Sequence, residues 1–260
     1  MSRMIAIANQ KGGVGKTTTS VNLAAALADM GKRILVLDMD PQGNAGSGLG
    51  VSSNEIEAGV YEILTDEMPA EKAITPTVAP GVDLIPSGQR LFGAEVELVP
   101  TPERESVLRR RIAPIRDRYD YILADCPPSL GLLTINTLTA ADSVLMPIQC
   151  EYYALEGLTQ LLNTVRLIQQ ALNPRLEIEG ILLTMFDARL NLSREVAEEA
   201  RKFFTGRVYQ TVIPRNVRLS EAPSFGKPVI IYDRACIGSQ CYIQLAQELT
   251  SHAEELVPNE

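Results

Sequence analysis

Lys11-Gly12-Gly13-Val14-Gly15-Lys16-Thr17-Thr18 is a run with a definite chemical use. Its glycines let the backbone curl until successive N–H groups point into one concavity, which suits an anion. Lys16 is spaced to reach the β- and γ-phosphates of a nucleoside triphosphate, and the Thr17 hydroxyl to ligate Mg²⁺. Lys11 stands directly before the first glycine. The loop curves away from it, so this lysine cannot easily fold back onto its own phosphates. It is placed to reach a nucleotide held by a second copy of the chain.

Two acidic stretches complete the set. Asp38-Met39-Asp40-Pro41-Gln42-Gly43-Asn44 follows an apolar run. Asp40 suits the water that attacks a γ-phosphate, which it would orient by accepting a hydrogen bond. Asp38 is better placed to support the Mg²⁺ shell. Tyr121-Ile122-Leu123-Ala124-Asp125 is an apolar strand ending in an acid, a Walker-B pattern whose aspartate holds Mg²⁺ through water. The catalytic candidates are therefore Lys11, Lys16, Asp40 and Asp125. The metal candidates are Thr17, Asp38 and Asp125, and the loop from Lys11 through Gly12, Gly13, Val14, Gly15, Lys16 and Thr17 to Thr18 is the nucleotide site.

These residues need elements to position them. Residues 4–8 read as a buried parallel strand and 19–30, rich in Ala and Leu, as a helix. Strand, glycine loop and helix are the context a phosphate loop requires, and the helix N-terminus adds partial positive charge. Residues 33–38 form the next strand, whose acids sit at its carboxyl end, where α/β sheets bind ligands. Residues 43–53, rich in Gly and Ser, read as a mobile loop placed to sense the γ-phosphate.

Further along, the pattern predicts a short helix at 60–64, a strand at 82–86 and a charged helix over 103–118. That helix carries Val107, Leu108, Ile112 and Ile115 on one face and Arg109-Arg110-Arg111 on its solvated side. Helices are predicted at 130–140, 155–172, 193–204 (capped by Ser193) and 239–256, the last with Leu245, Leu249, Ala253 and Leu256 inward. Strands are predicted at 143–148, 178–185 and 209–213, the last delivering Pro214-Arg215-Asn216 to the nucleotide edge. The alternation predicts α/β architecture, one doubly wound, mainly parallel sheet with helices on both faces; the glycine loop between strand and helix makes the expected fold one of P-loop NTPase type. One domain is expected over residues 1–260, with no room at the start for a leader or a separate DNA-binding domain.

Composition narrows the function classes. Of 260 residues 45% are apolar, yet Trp is absent and aromatics make up 5%, so the core must be aliphatic. No apolar run approaches the roughly 18 residues of a membrane span. The four cysteines, Cys126, Cys150, Cys236 and Cys241, are scattered without a C-x-x-C pair, which disfavours a zinc or iron–sulfur site and fits reduced thiols in the cytoplasm. The lone histidine, His252, lies near the C-terminus, which leaves no Ser-His-Asp chemistry. A net charge of −8 argues against general nucleic-acid binding, leaving local basic groups to be weighed separately.

The run Lys-Gly-Gly-Val-Gly-Lys-Thr-Thr resembles the deviant Walker-A ATPases, in which Lys11 matches the signature lysine. Asp-x-Asp-Pro-Gln-Gly-Asn matches the second signature of that family. Longer strings resemble its chromosomal ParA branch, also called Soj: Pro127-Pro128-Ser129-Leu130-Gly131, Gln149-Cys150-Glu151-Tyr152, Ala154-Leu155-Glu156-Gly157, and the run from Ile213 to Ser224. The resemblance implies that two subunits sandwich two ATP molecules with Mg²⁺, the signature lysine crossing the interface. It implies an ATP-dependent homodimer that binds double-stranded DNA without sequence preference. A ParB (Spo0J-type) centromere-binding partner then triggers hydrolysis, slow otherwise, and moves chromosome origins apart in the nucleoid-associated cytoplasm. It assigns adenine-side contacts to Pro214 and Asn216 and DNA binding to Arg189 and Arg218.

Two neighbouring families offer alternatives. A MinD-like positioning ATPase would end in a basic amphipathic helix that lies on the membrane. This chain ends Ser-His-Ala-Glu-Glu-Leu-Val-Pro-Asn-Glu, which anionic lipid repels. A nitrogenase iron-protein type would need paired cysteines at a dimer face, and Cys126 has no suitable partner. An ATP-gated scaffold without hydrolysis is disfavoured by the presence of Lys16, Asp40 and Asp125 together.

Overall fold

The computed structural model describes residues 2–52, 56–151 and 154–255, the side chains of 154–157 and 252–255 excepted. The strands β1 (Arg3–Ile7), β2 (Ile34–Asp38), β3 (Thr75–Pro76), β4 (Val82–Ile85), β5 (Tyr121–Asp125), β6 (Ser143–Gln149), β7 (Glu177–Phe186) and β8 (Val208–Pro214) form one sheet. Their order is β3-β4-β2-β5-β1-β6-β7-β8, and among the described residues only β3 runs antiparallel to its neighbour. This is the mainly parallel α/β sheet that the alternating pattern predicts.

Side-chain alternation divides the core. Met4 and Ala6 of β1 face one side, Ile5 and Ile7 the other, and Ile122 and Leu123 of β5 divide likewise. Both faces are covered, which is why these strands are apolar at nearly every position. On one face lie α1 (Lys16–Asp29), α2 (Asn44–Gly48), α9 (Val217–Glu221), α10 (Val229–Tyr232) and α11 (Ile237–Glu255). On the other lie α3 (Val60–Thr65), α4 (Leu91–Glu97), α5 (Val107–Ile112), α6 (Leu132–Ala140), α7 (Ala154–Ala171) and α8 (Asn191–Phe203). Most of the packed side chains are aliphatic, with Tyr209 and Tyr242 the bulkiest of the fully buried ones.

Three expectations need correction. The segment 103–118 is one α-turn set, α5, between 3₁₀ turns at Arg104–Ser106 and Ala113–Arg118. Pro114 has no N–H to donate and its ring crowds the preceding turn, so the α-helix stops there. The glycine-rich stretch after residue 43 is not simply an irregular loop: it contains α2, with Ala45, Gly46 and Gly48 buried. Gly48 packs closely there: a Cβ on it would lie 3.1 Å from the Val21 side chain, which would have to give way. Ser193 does not cap α8. The cap position is Leu190, and Ser193 is buried in the first turn with its hydroxyl 3.5 Å from the Cys150 carbonyl. The expected inward placement of Ala253 and Leu256, the surroundings of His252, and Tyr152 lie outside the described residues or side chains. Among the described residues no helix is long and apolar enough to cross a membrane.

Candidate active site

The phosphate loop leaves the carboxyl end of β1 at the centre of the sheet. Gly13 and Gly15 have φ of 73° and 90°, the left-handed region that glycine tolerates, and Gly15 occupies the N-cap of α1 without a side-chain cap. The first N–H groups of α1 are therefore left for an external acceptor. The loop is anchored from outside it. Thr184 Oγ1 donates to the Val14 carbonyl at 2.8 Å and also lies 3.0 Å from the Ile148 carbonyl. Asn9 Nδ2 donates to the Pro147 carbonyl at 2.7 Å, while its Oδ1 accepts from the Lys11 N–H at 2.9 Å. Lys16 is buried, and its Nζ lies 3.3 Å from the Lys11 carbonyl. Burial lowers its pKa, and the carboxylates of Asp125 and Asp40 oppose that shift.

Strand register brings the acids to this loop. Ile7, Asp125 and Asp38 stand side by side on β1, β5 and β2, though they are far apart in sequence. Asp125 is fully buried. Ser20 of α1 donates to its Oδ1 at 3.0 Å, and its Oδ2 has no hydrogen-bond partner among the described residues. Burial pushes the Asp125 carboxyl up to about 6, although the Thr17 and Ser20 hydroxyls pull it back. An orphaned, desolvated carboxylate oxygen beside Thr17 fits the water shell of a magnesium ion. Among the described residues no cluster of acids, histidines and cysteines could hold a metal by itself, so a metal here would depend on phosphate oxygens and water as well.

Asp38 is also fully buried, and burial together with Asp125 raises its carboxyl. Its two oxygens accept from the N–H groups of Asp40 (3.2 Å), Ala45 (3.1 Å) and Gly46 (3.3 Å). It thus shapes the turn that carries Asp40. The Asp40 carboxylate accepts from the Gln42 N–H at 3.0 Å, and Ser87 donates to the Asp40 carbonyl.

Pro214 and Asn216 reach the same edge. With Gly15, Thr18, Thr184 and Met185 they line a hollow of about 260 Å³ beside the phosphate loop. Asn216 accepts from the Arg218 N–H through Oδ1, which leaves its amide N–H₂ for a ligand. Met185 adopts φ 51° at this rim, an uncommon conformation for a non-glycine residue. A larger hollow of about 540 Å³, lined by Leu162, Arg166 and Phe204 among others, contains none of these residues.

Lys11, Arg189 and Arg218 all meet carboxylates of the chain itself. Lys11 Nζ lies 3.1 Å from Glu151. Arg189 is 87% exposed and holds Asp187 through two nitrogens, at 2.9 and 2.7 Å. Arg218 contacts Glu221 at 2.8 Å and Asp233 at 3.3 Å. Sequence reading missed Thr184, Ser20, Ser87 and Glu151. Thr184, Ser87 and Glu151 lie at the end of, or just after, an apolar strand, and that position was the available signal; Ser20 lies inside α1, one turn beyond Lys16, where no strand signal applies.

A family model described as an AAA domain matches residues 2–178. The chain is 60% identical over 252 residues to the sporulation initiation inhibitor protein Soj of Bacillus subtilis, covering 97% of this chain and 100% of that protein. It is 55% identical over 249 residues to the chromosome partitioning protein ParA of Myxococcus xanthus, covering 96% and 88%. Among solved structures it resembles a cobyrinic acid a,c-diamide synthase from Mycobacterium smegmatis with bound ADP and magnesium. That match has a TM-score of 0.87, 37% identity, and coverage of 98% and 96%. A deviant phosphate loop, two acid-tipped strands in register with it and relatives this similar over nearly the whole chain lead to one assignment: the chain belongs to the ParA/Soj family of chromosome-partitioning ATPases.

Proposed function

We propose that this chain is an ATP-dependent dimerising switch that binds DNA non-specifically and hydrolyses ATP when a ParB-type partner stimulates it, driving origin segregation. The observation that carries the reading is Lys11, a cation placed before the phosphate loop and engaged by Glu151 rather than turned into its own loop. A second ATP-bearing copy supplies the phosphate it lacks. A γ-phosphate contacted by both copies gives the dimer a differential affinity for ATP over ADP, which any ligand-driven shift requires.

Each residue has a role in this scheme. The loop amides from Gly12 to Thr18 and the Lys16 ammonium bind the phosphates. Pro214 and Asn216 bound the base. Thr17 directly and Asp125 through water would hold Mg²⁺, with Asp38 behind them; such an ion would supply charge neutralisation at the triphosphate. Asp40 orients the attacking water by accepting a hydrogen bond from it. Basal hydrolysis is slow, because a switch must persist until its partner acts.

DNA binding rests on Arg189 and Arg218, which follow the adjacent strands β7 and β8 out of the same edge. Dimerisation doubles their number on one surface. Screening limits each charge to about 8 Å at physiological salt, so distant carboxylates contribute little repulsion. The protein is then cytoplasmic and nucleoid-associated, and the whole chain serves as one ATPase domain. Light scattering with ATP, with ADP and without nucleotide tests the scheme: a dimer with ATP alone is expected, and a stable dimer in ADP would overturn it.

A further inference from the structure

Asp40 is gripped from two different strands. From β2, Asp38 accepts the Asp40 N–H at 3.2 Å. From the exit of β4, the Ser87 hydroxyl donates to the Asp40 carbonyl, which also accepts from the Gly43 N–H at 3.0 Å. Ser87 is buried, at 4% exposure, and its own backbone presses on the same turn. A Cβ on Gly43 would lie 3.2 Å from the Ser87 carbonyl, and Gly43 has φ 68°.

These contacts have a consequence for the side chain. The N–H and the C=O of one residue report its φ and ψ, because each peptide is planar. Fixing both fixes the direction of the Cα–Cβ bond. The Gln42 N–H, accepted by Asp40 Oδ1 at 3.0 Å, then restrains the rest of the carboxylate. Three of these four restraints, from Asp38, Gln42 and Gly43, come from inside the β2 turn. The fourth, Ser87, comes from a segment that follows it by 47 residues.

The β4 exit is itself braced. The Pro86 carbonyl accepts from the Val60 N–H at 2.8 Å, and a Cβ on Gly59 would come within 2.2 Å of that carbonyl. Glu62, one turn into α3, accepts from the Gly59 N–H at 2.8 Å and pairs with Arg90. The segment carrying Ser87 is thus held by α3 on one side and holds the Asp40 turn on the other.

We infer that Ser87 is a positioning residue for ATP hydrolysis: its hydroxyl, hydrogen-bonded to the Asp40 carbonyl, sets the direction of the Asp40 carboxylate toward the attacking water. The inference rests on the role given to Asp40 above. Ser87 is neither on the phosphate loop nor among the residues lining the base hollow. Its removal therefore acts on the chemical step and leaves nucleotide binding in place.

The test uses the full chain with Mg-ATP in single turnover, with ATP affinity measured separately. Ser87→Ala, and Ser87→Cys, which keeps the volume but offers a weak donor, should each slow hydrolysis about tenfold or more. ATP affinity should stay within about twofold of wild type, and Ser87→Thr, which keeps the hydroxyl, should recover most of the rate. Amide exchange of residues 42–46 in nucleotide-free protein should quicken in Ser87→Ala and not in Ser87→Thr. The deciding arm is the double variant. In an Asp40→Ala background, Ser87→Ala should cost no further rate, because it acts through the missing carboxylate. A wild-type rate in both Ser87→Ala and Ser87→Cys, or an equal loss with and without Asp40, would overturn the inference. Asp40→Ala alone separates the two readings: a wild-type rate there sinks the Asp40 role itself, whatever Ser87 does.

Discussion

Lys11 Nζ lies 3.1 Å from a carboxylate oxygen of Glu151, 140 residues away on the same chain. Lys11 thus has an anionic partner within its own chain. Both side chains are more than two-fifths exposed, so the pair contributes at most about 1 kcal/mol. It is a contact that a phosphate can displace.

The first prediction concerns that exchange. Lys11→Ala should bind ATP as a monomer and fail to dimerise. Glu151→Gln frees the lysine and should strengthen the ATP dimer by no more than about fivefold, the worth of an exposed pair. Sedimentation of both variants across ATP and ADP series checks this. An ATP dimer in Lys11→Ala would remove the role assigned to the lysine.

Asp40→Ala should trap the ATP dimer. Loss of the carboxylate proposed to orient the attacking water should slow chemistry by roughly a hundredfold or more. Phosphate binding should survive, because the loop amides and Lys16 remain. Single-turnover hydrolysis near the wild-type rate would refute the assignment.

The two arginines proposed to bind DNA give a prediction with a sign. Arg189 holds the Asp187 carboxyl far down, at about 2, so the acid stays ionised and competes with phosphate at all ordinary pH. Asp187→Asn should therefore raise DNA affinity modestly, for all sequences alike. The Arg189→Ala, Arg218→Ala double variant should abolish binding while ATP-driven dimerisation persists. If about four to six phosphates are neutralised, log affinity falls with log salt at a slope of roughly −4 to −5. DNA retention across a salt series, with ATP and with ADP, is the measurement. Binding by wild type in ADP equal to that in ATP would place the DNA surface elsewhere.

Buried acids predict a pH dependence of the nucleotide-free, magnesium-free protein. Asp125 titrates near 6 when folded and near the ordinary carboxylate value of about 4 when unfolded, so between those limits the folded state binds more protons. The stability associated with its protonated form is present at low pH and lost as pH rises through about 6. Asp38, also raised, extends the loss upward. Asp125→Asn removes the buried charge. Its nucleotide-free form should match wild type near pH 4 and exceed it at pH 8, by about 1–3 kcal/mol. Urea unfolding at the two pH values checks this. A variant less stable than wild type at pH 8 would show that the charged form is not penalised in the fold.

Much of this molecule was legible in its residues. Lys11 to Thr18, the acids at 38, 40 and 125, and the alternation of apolar runs with helices announced a phosphate site on a parallel sheet. Glycine spacing, apolar period and acid-tipped strands are local signals, set by backbone sterics and burial, and they survive in a linear chain. What the chain order could not express is which strands become neighbours. Register placed Ile7, Asp125 and Asp38 abreast, carried Pro214 and Asn216 to Gly15, and brought Ser87 onto the Asp40 carbonyl. The same holds for charge. The sequence points Lys11 at a second copy's nucleotide and the family resemblance assigns Arg189 and Arg218 to DNA, and only folding showed each facing a carboxylate of its own chain. Pro114 broke an apolar stripe that promised one helix, and Asp38, accepting from the Ala45 and Gly46 N–H groups, anchors a buried helix where flexibility was expected. Pairing partners, distances and the orientation of a catalytic turn arise from contacts between residues far apart in the chain. Only the packed sheet could decide them.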